Sequence, residues 1–280
     1  MADDPHIVFE KRGHILLIEI NRPEVGNAHT TRMVDEFIAA LDEADRDDGI
    51  RAVIFTGKGR EFCVGGDLST GADTFDQVKG GRATDIDNHR ESGGAMVHRI
   101  IDCKKPVIAA INGHAVGVGM TMIIPCDIKI FAEGAKLGMV FTRRGIVPDG
   151  AATWLLSRMV GIGRALDWCV SGRYILSDEA LSSGFIQHIA PREDVLAKAF
   201  EIAEEICERV SPVAASLTRR AIWDMAGARS IDEALEAEGR LLYMLGASDE
   251  PKEGVMSFLE KRPANFPLKV SEDHERIYNA

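Results

Sequence analysis

The amino-acid sequence predicts an α/β fold in which helices cover a sheet. Three observations carry that expectation. Short apolar runs such as Arg51–Thr56 (RAVIFT) and Pro106–Ile111 alternate with segments whose apolar residues recur at helical spacing, the pattern of a sheet buried under helices. Two of those runs lead into glycine-rich turns and then a helix, AVIFTGKGREFCVGGDL and PVIAAINGHAVGVGM. After Pro148 the periodicity becomes helical and no strand run follows Phe131.

Taken in order, His14–Ile20 (HILLIEI) reads as a strand paired with Ile7–Glu10. NRPEVGNA is a turn, and Thr30 or Thr31 can cap a helix running to about Asp47, because a threonine oxygen can accept a free N–H of the first turn. Met33, Val34, Phe37, Ile38 and Leu41 form its apolar stripe, opposite a charged face. After the strand Arg51–Thr56 comes GKGREFCVGGDL, then a polar, glycine-rich stretch from Ser69 to Gly94 that reads as a mobile cover over a site. A helix from about Ser92 to Ile101 leads to the strand Pro106–Ile111, the turn Asn112–Gly113, a helix starting near Val116 and the strand Cys126–Phe131. Ala151–Met159, Gly163–Ser171, Ser177–Ser183, Arg192–Val210, Pro212–Met225, Ile231–Gly246 and Glu250–Leu259 read as helices, and the last twenty or so residues as an extended arm. The chain is expected to divide into a core over residues 1–200 and a helical region over 201–280.

The chain has 280 residues, 45% of them hydrophobic and 28% charged, enough for a substantial core. A net charge of -11 argues against a nucleic-acid or anionic-membrane surface, which needs a basic face. A local basic pocket for one anionic ligand stays compatible with it. Cys63, Cys103, Cys126, Cys169 and Cys207 are scattered and form no CxxC pair, so no disulfide framework and no metal cluster is expected. The acidic start lacks the basic-then-apolar plan of a signal peptide, and the most apolar stretch is broken by Gly, Pro, Asn, His and Asp. A cytoplasmic protein without a membrane span follows.

The glycine turns match neither GxGxxG nor GxxxxGK[ST] in the required context. They either pack a helix tightly on a sheet or aim one backbone N–H each at a common oxygen, an oxyanion hole.

Six segments occurring in order, INRPEVGNA, FCVGGDL, KPVIAAINGHAVGVG, CDIKIF, GIVPDGAATWLLSRMVG and EGVMSFLEKRPANF, resemble the crotonase superfamily, the enoyl-CoA hydratase/isomerase family, over nearly the whole chain. The resemblance implies a spiral of repeated ββα units with a C-terminal helical region that serves assembly and coenzyme-A binding. It also implies trimers or dimers of trimers, and an acyl-CoA thioester substrate whose coenzyme A is part of the substrate and not a resident cofactor. By resemblance, the oxyanion N–H groups fall on Gly66 and Val118. Cys63, Val64 and Gly65 fall beside the ligand, and Phe258 and Lys261 on coenzyme-A-binding positions of the C-terminal region.

The departures from the family pattern bear on the reaction. Two glutamates that activate water in family hydratases correspond here to Thr121 and Phe141, neither able to serve as that base. Asp149, in the VPDG turn, remains: it is either a proton carrier or the cap of the following helix. The leading expectation is double-bond isomerisation with Asp149 as acid and base. Hydration by a route without the glutamate pair, and acyl-CoA binding without catalysis, stand as alternatives. Arg143 and Arg144 are expected to pair with acidic surface groups, and Trp154 and Trp168 to anchor helices.

Overall fold

β1 (Ile7–Arg12) and β2 (Ile15–Ile20) form an antiparallel hairpin with Ile7 opposite Ile20. In the computed structural model, which describes residues 4–80, 84–89 and 91–280, the hairpin continues into α1 (Thr31–Arg46), β3 (Ala52–Gly57), α2 (Ser92–Asp102), β4 (Val107–Ile111) and β5 (Ala115–Val116). Then come α3 (Val118–Thr121), β6 (Ile128–Ala132), β7 (Lys136–Gly138), α4 (Ala152–Val160), α5 (Ile162–Ser171), β8 (Tyr174–Leu176), α6 (Ser177–Ser182) and β9 (His188–Ala190). The chain ends in α7 (Val195–Arg209), α8 (Pro212–Met225), α9 (Ile231–Gly246), α10 (Glu250–Glu260) and α11 (Val270–Tyr278).

The strands make two sheets, β1-β2-β3-β4-β6-β9 and β5-β7-β8. Beyond the first hairpin the large sheet is parallel, and β3 and β4 are buried at every residue. That explains their unbroken apolar character, since strands covered on both faces have no wet side. β4, β6 and β9 supply the large sheet while their neighbours β5, β7 and β8 supply the small one, so each ββ unit feeds both layers. Isolated parallel bridges, Cys63 to Ala115 and His29 to Gly66, extend the second layer towards the N-terminal units. This is the expected spiral of ββα units with a helical C-terminal region.

α1 starts as its sequence predicts: the Thr30 hydroxyl accepts the Met33 N–H. Its buried face, Met33, Val34, Phe37, Ala40, Leu41 and Ala44, lies on the sheet. There Phe37 and Phe55 meet with ring centroids 4.7 Å apart and Phe55 meets Phe62 edge-on at 5.2 Å. Each such buried ring contributes about 1.5–3 kcal/mol.

Four expectations need correction. Three strands, β7, β8 and β9, follow Phe131, each three residues long and held by pairing with neighbours. The helix expected from Val116 shrinks to the four residues of α3, because Ala115 and Val116 join the small sheet instead. The C-terminal residues include a docked helix, α11, which buries Val270, His274 and Ile277 against α8 and α9. Trp154 is exposed and stacks under Arg158, 3.8 Å from its ring centroid, whereas Trp168 is buried edge-on to Phe185. α7 crosses the 200/201 boundary and packs on the large sheet, and a second apolar cluster begins at Val213. Residues 81–83 and 90 of the stretch read as a mobile cover lie outside the described residues. Among the described residues no helix is long and apolar enough to cross a membrane.

Candidate functional site

A cavity of about 990 Å³ opens where the two glycine turns meet the segment between β3 and α2. Val64, Gly65, Gly66, Val118, Thr74, Glu91, Phe141 and Asp149 are among its lining residues. The turns reach each other because neither carries bulk at the contact. Gly117 holds φ of 56° and ψ of -126°, a conformation closed to most side chains, and sends the chain directly into α3. A Cβ on Gly119 would overlap the Cys63 carbonyl oxygen, so that position sets how closely α3 approaches the first turn.

Val118 is the first residue of α3, where a helix N–H has no intrahelical partner. Among the described residues neither the Val118 N–H nor the Gly66 N–H has a hydrogen-bond acceptor, and both residues line the cavity. Two unpaired donors at one wall can receive an oxygen that gains negative charge.

The first turn is clamped from behind. The His29 N–H donates to the Gly65 carbonyl at 2.8 Å and the Asp67 N–H donates to the His29 carbonyl at 3.0 Å, so His29 brackets Gly66. Asp67 accepts from the Ser69 N–H and from Arg22, both at 3.0 Å, which hold its carboxyl below the usual range and fix the turn. Buried Asn27 accepts the Arg22 N–H and donates to the carbonyls of Lys58 and Glu61, tying NRPEVGNA to the same loop. Burial lowers the His29 imidazole to about 4, so it is neutral at physiological pH.

Asp149 stands half-buried in the wall of the same cavity. Its Oδ1 accepts the Thr121 hydroxyl at 2.7 Å; its Oδ2 has no donor among the described residues. The side chain caps nothing: Ala151 occupies the N-cap of α4 and makes no side-chain bond there. Burial pushes the carboxyl up to about 6, with the Thr121 bond opposing the shift and the neighbouring Glu91 charge adding to it. Such a group can take up and release a proton near neutrality.

Val64 and Gly65 lie on the cavity wall; Cys63 does not. Its N–H donates to the His114 carbonyl and its carbonyl accepts the Val116 N–H, both at 3.0 Å, and its thiol is wholly buried and pushed up to about 12. Phe258 and Lys261, at the end of α10, are exposed and lie outside this cavity's wall. Thr121 and Phe141 occupy the places given to the missing glutamates, Thr121 as donor to Asp149 and Phe141 as an apolar lining residue.

Lys136, Arg143 and Arg144 also line the cavity, and none is in a salt bridge among the described residues. The expected surface pairing of the two arginines is therefore not found. Lys136 Nζ and the Arg143 guanidinium each lie 5.4 Å from the Tyr174 ring centroid. Three cations without counter-ions at one cavity suit a phosphate or carboxylate. Among the described residues no group of three or more His, Cys, Asp or Glu could hold a metal ion.

Sequence reading missed His29 and Glu91. His29 works through its backbone, which any residue would supply, so its type gives no signal. Glu91 precedes the Ser-Gly-Gly start of α2, but glutamate is not a typical cap residue and its third donor, the Gly150 N–H, lies far along the chain.

The family model described as enoyl-CoA hydratase/isomerase matches residues 10–269. The enoyl-CoA hydratase ACTT3 of Alternaria alternata is 40% identical over 253 residues, covering 90% of this chain and 82% of that one. The 1,2-epoxyphenylacetyl-CoA isomerase of Escherichia coli K12 is 32% identical over 256 residues, covering 91% and 95%. A crystal structure of enoyl-CoA hydratase from Bacillus anthracis matches with a TM-score of 0.83 at 29% identity, covering 95% of this chain and 100% of the other.

Proposed function

The chain belongs to the enoyl-CoA hydratase/isomerase (crotonase) family, and from that premise we propose that it moves a carbon–carbon double bond along an acyl-CoA thioester. The thioester carbonyl oxygen accepts the N–H groups of Gly66 and Val118. Asp149, through Oδ2, removes a proton from the carbon alpha or gamma to the carbonyl. The electron pair delocalises onto the thioester oxygen as a dienolate, held by the two N–H groups. Asp149 then returns the proton at the other end of the conjugated system, so the product is an isomer and nothing is consumed. The observation that carries this reading is a single half-buried carboxyl, raised to about 6 and with one oxygen unengaged, in the wall that holds the two unpaired N–H groups. One group that both takes and gives a proton suffices for isomerisation.

The unpaired Lys136, Arg143 and Arg144 are suited to the phosphates of coenzyme A, which an overall charge of -11 would otherwise repel. Val64 and Gly65 flank the adenine and pantetheine portions of the ligand, while Cys63 supports them from beneath. The helical region 201–280 serves self-association, as a trimer or dimer of trimers, and its Phe258 and Lys261 complete the coenzyme-A site across the assembly. The unpaired cysteines suit a reducing compartment, the cytoplasm.

Hydration is the second reading. Glu91 and Asp149 line one cavity, two carboxyl groups between which a water could be activated, and relatives such as ACTT3 carry the name hydratase. Supplying 2-enoyl-CoA and 3-enoyl-CoA in deuterated water separates the readings. Isomerisation yields the other enoyl-CoA with deuterium at the alpha or gamma carbon and stops when Asp149 becomes Asn. Accumulation of 3-hydroxyacyl-CoA at an enzymatic rate favours hydration, and binding without turnover of either leaves an acyl-CoA binder.

A further inference from the structure

We propose that Glu91 is the positioning residue of this site: a carboxylate latch that ties the first turn of α2 to the Gly150 turn and so holds Asp149 over the cavity, against Gly93. The inference rests on the reading of Asp149 as the proton carrier. Glu91 Oε1 accepts the Gly93 N–H at 2.5 Å, and Oε2 accepts the N–H groups of Gly94 at 2.6 Å and Gly150 at 2.9 Å. Two of those donors belong to α2 and the third to the residue beside Asp149, so one side chain joins elements that are distant in sequence.

Three backbone donors engage both oxygens of this partly buried carboxyl and fix where it points. Gly93 supplies the other half of the arrangement. A Cβ built there would lie 2.9 Å from Glu91 Oε1, 3.2 Å from Asp149 Cγ and 3.3 Å from Asp149 Oδ2. The absence of a side chain lets the two carboxyl groups approach the same point from either side. Asp149 also meets the Thr121 hydroxyl from α3, and Cys63 interacts with it from the first glycine turn. His29, His89, Arg143 and Arg144 share the cavity wall. Among these, the Glu91 charge is the one that adds to the upward shift of Asp149. The latch therefore acts on both the place of the carboxyl and the pH at which it works.

Glu91→Gln keeps the shape and one acceptor oxygen but loses the charge and turns an amide NH₂ towards backbone donors. We expect kcat to fall tenfold or more with KM within about twofold, and the acidic limb of the pH–rate profile to move to lower pH. Glu91→Asp keeps the charge at shorter reach, so the rate falls while the limb stays near its wild-type position. A Glu91→Gln enzyme with wild-type kcat and pH profile overturns the proposal, as does equal loss in both variants with an unmoved limb. If Glu91→Gln does not fold, Gly93→Ala reads the same contact, since alanine favours the helix while its methyl presses on Asp149. Unchanged kcat in that variant counts against the latch. A fully active Asp149→Asn enzyme would sink the proton-carrier reading instead. The carboxyl ¹³C titration of Asp149, which needs no turnover, then still tests the latch: a midpoint in Glu91→Gln equal to wild type rejects it, and a lower midpoint supports it.

Discussion

Asp149 links the local chain geometry to a measurable pH dependence. Its carboxyl must be ionised to remove a carbon-bound proton, and with a value raised to about 6 it is half ionised there and mostly ionised at neutrality. The expected kcat/KM profile rises with pH through about 6 and levels off towards neutrality, the reverse of a group that must start protonated. Asp149→Asn should lower kcat about 10²–10⁴-fold, the range for losing a general base. A flat profile between pH 5 and 7 would argue against the assignment. Val118 permits a cleaner test of the oxyanion donors. At the first position of a helix proline is well tolerated, because that N–H has no helical partner. Val118→Pro should therefore leave melting within a few degrees of wild type while lowering kcat about 10²–10³-fold. Wild-type turnover would remove the Val118 N–H from the mechanism. That Asp149, Gly66 and Val118 share one cavity was legible because they stand in ordered motifs. The place of Glu91 was not, since its bond to the Gly150 N–H depends on a fold that brings distant segments together.

Among the elements, length decides what the sequence could reveal. β2, β3 and β4 are apolar runs of five or six residues and could be read directly. β7 and β8 have three residues each, too few for a periodicity, and exist because the small sheet supplies their hydrogen bonds. α11 is the reverse case: Val270, His274 and Ile277 keep helical spacing, but Pro263 and Pro267 just before it favoured an extended reading. The helix is held by what it covers. Ser216 and His274 Nδ1 lie 2.7 Å apart, and Val213, Leu217, Val270 and Ile277 form a small apolar cluster. Ile277→Ala should cost about 2 kcal/mol, the low end for a buried isoleucine because the cluster is small and near the surface. Urea unfolding measures it, and a change below about 0.5 kcal/mol would mean that α11 contributes little to the folded state.

At the scale of the whole molecule, net charge and exposed apolar surface act in opposite directions. A charge of -11 keeps copies apart at long range, so stable association needs apolar contact to exceed that repulsion. The C-terminal helices offer such surface: Leu242 is 75% exposed, Tyr243 77% and Phe258 81%, with Ile231, Leu235, Val255 and Leu259 also exposed on α9 and α10. Scattered apolar residues are ordinary on a surface, but a run of them along two successive helices is the surface the proposed self-association would cover. The proposed self-association predicts that sedimentation at micromolar concentration finds three or six copies, and that Leu242→Asp combined with Tyr243→Asp shifts the population to monomer. Repulsion between like-charged copies predicts that added salt strengthens the wild-type assembly. The same variant separates assembly from chemistry. Asp149, Gly66 and Val118 come from one chain, whereas Phe258 and Lys261 lie outside its cavity wall. If they reach a neighbour's coenzyme A, the monomeric variant should show a KM raised about tenfold or more while kcat changes little, the pattern of lost uniform binding. A monomer with unchanged KM would confine coenzyme-A recognition to the chain that carries the cavity, leaving Lys136, Arg143 and Arg144 as its anchors.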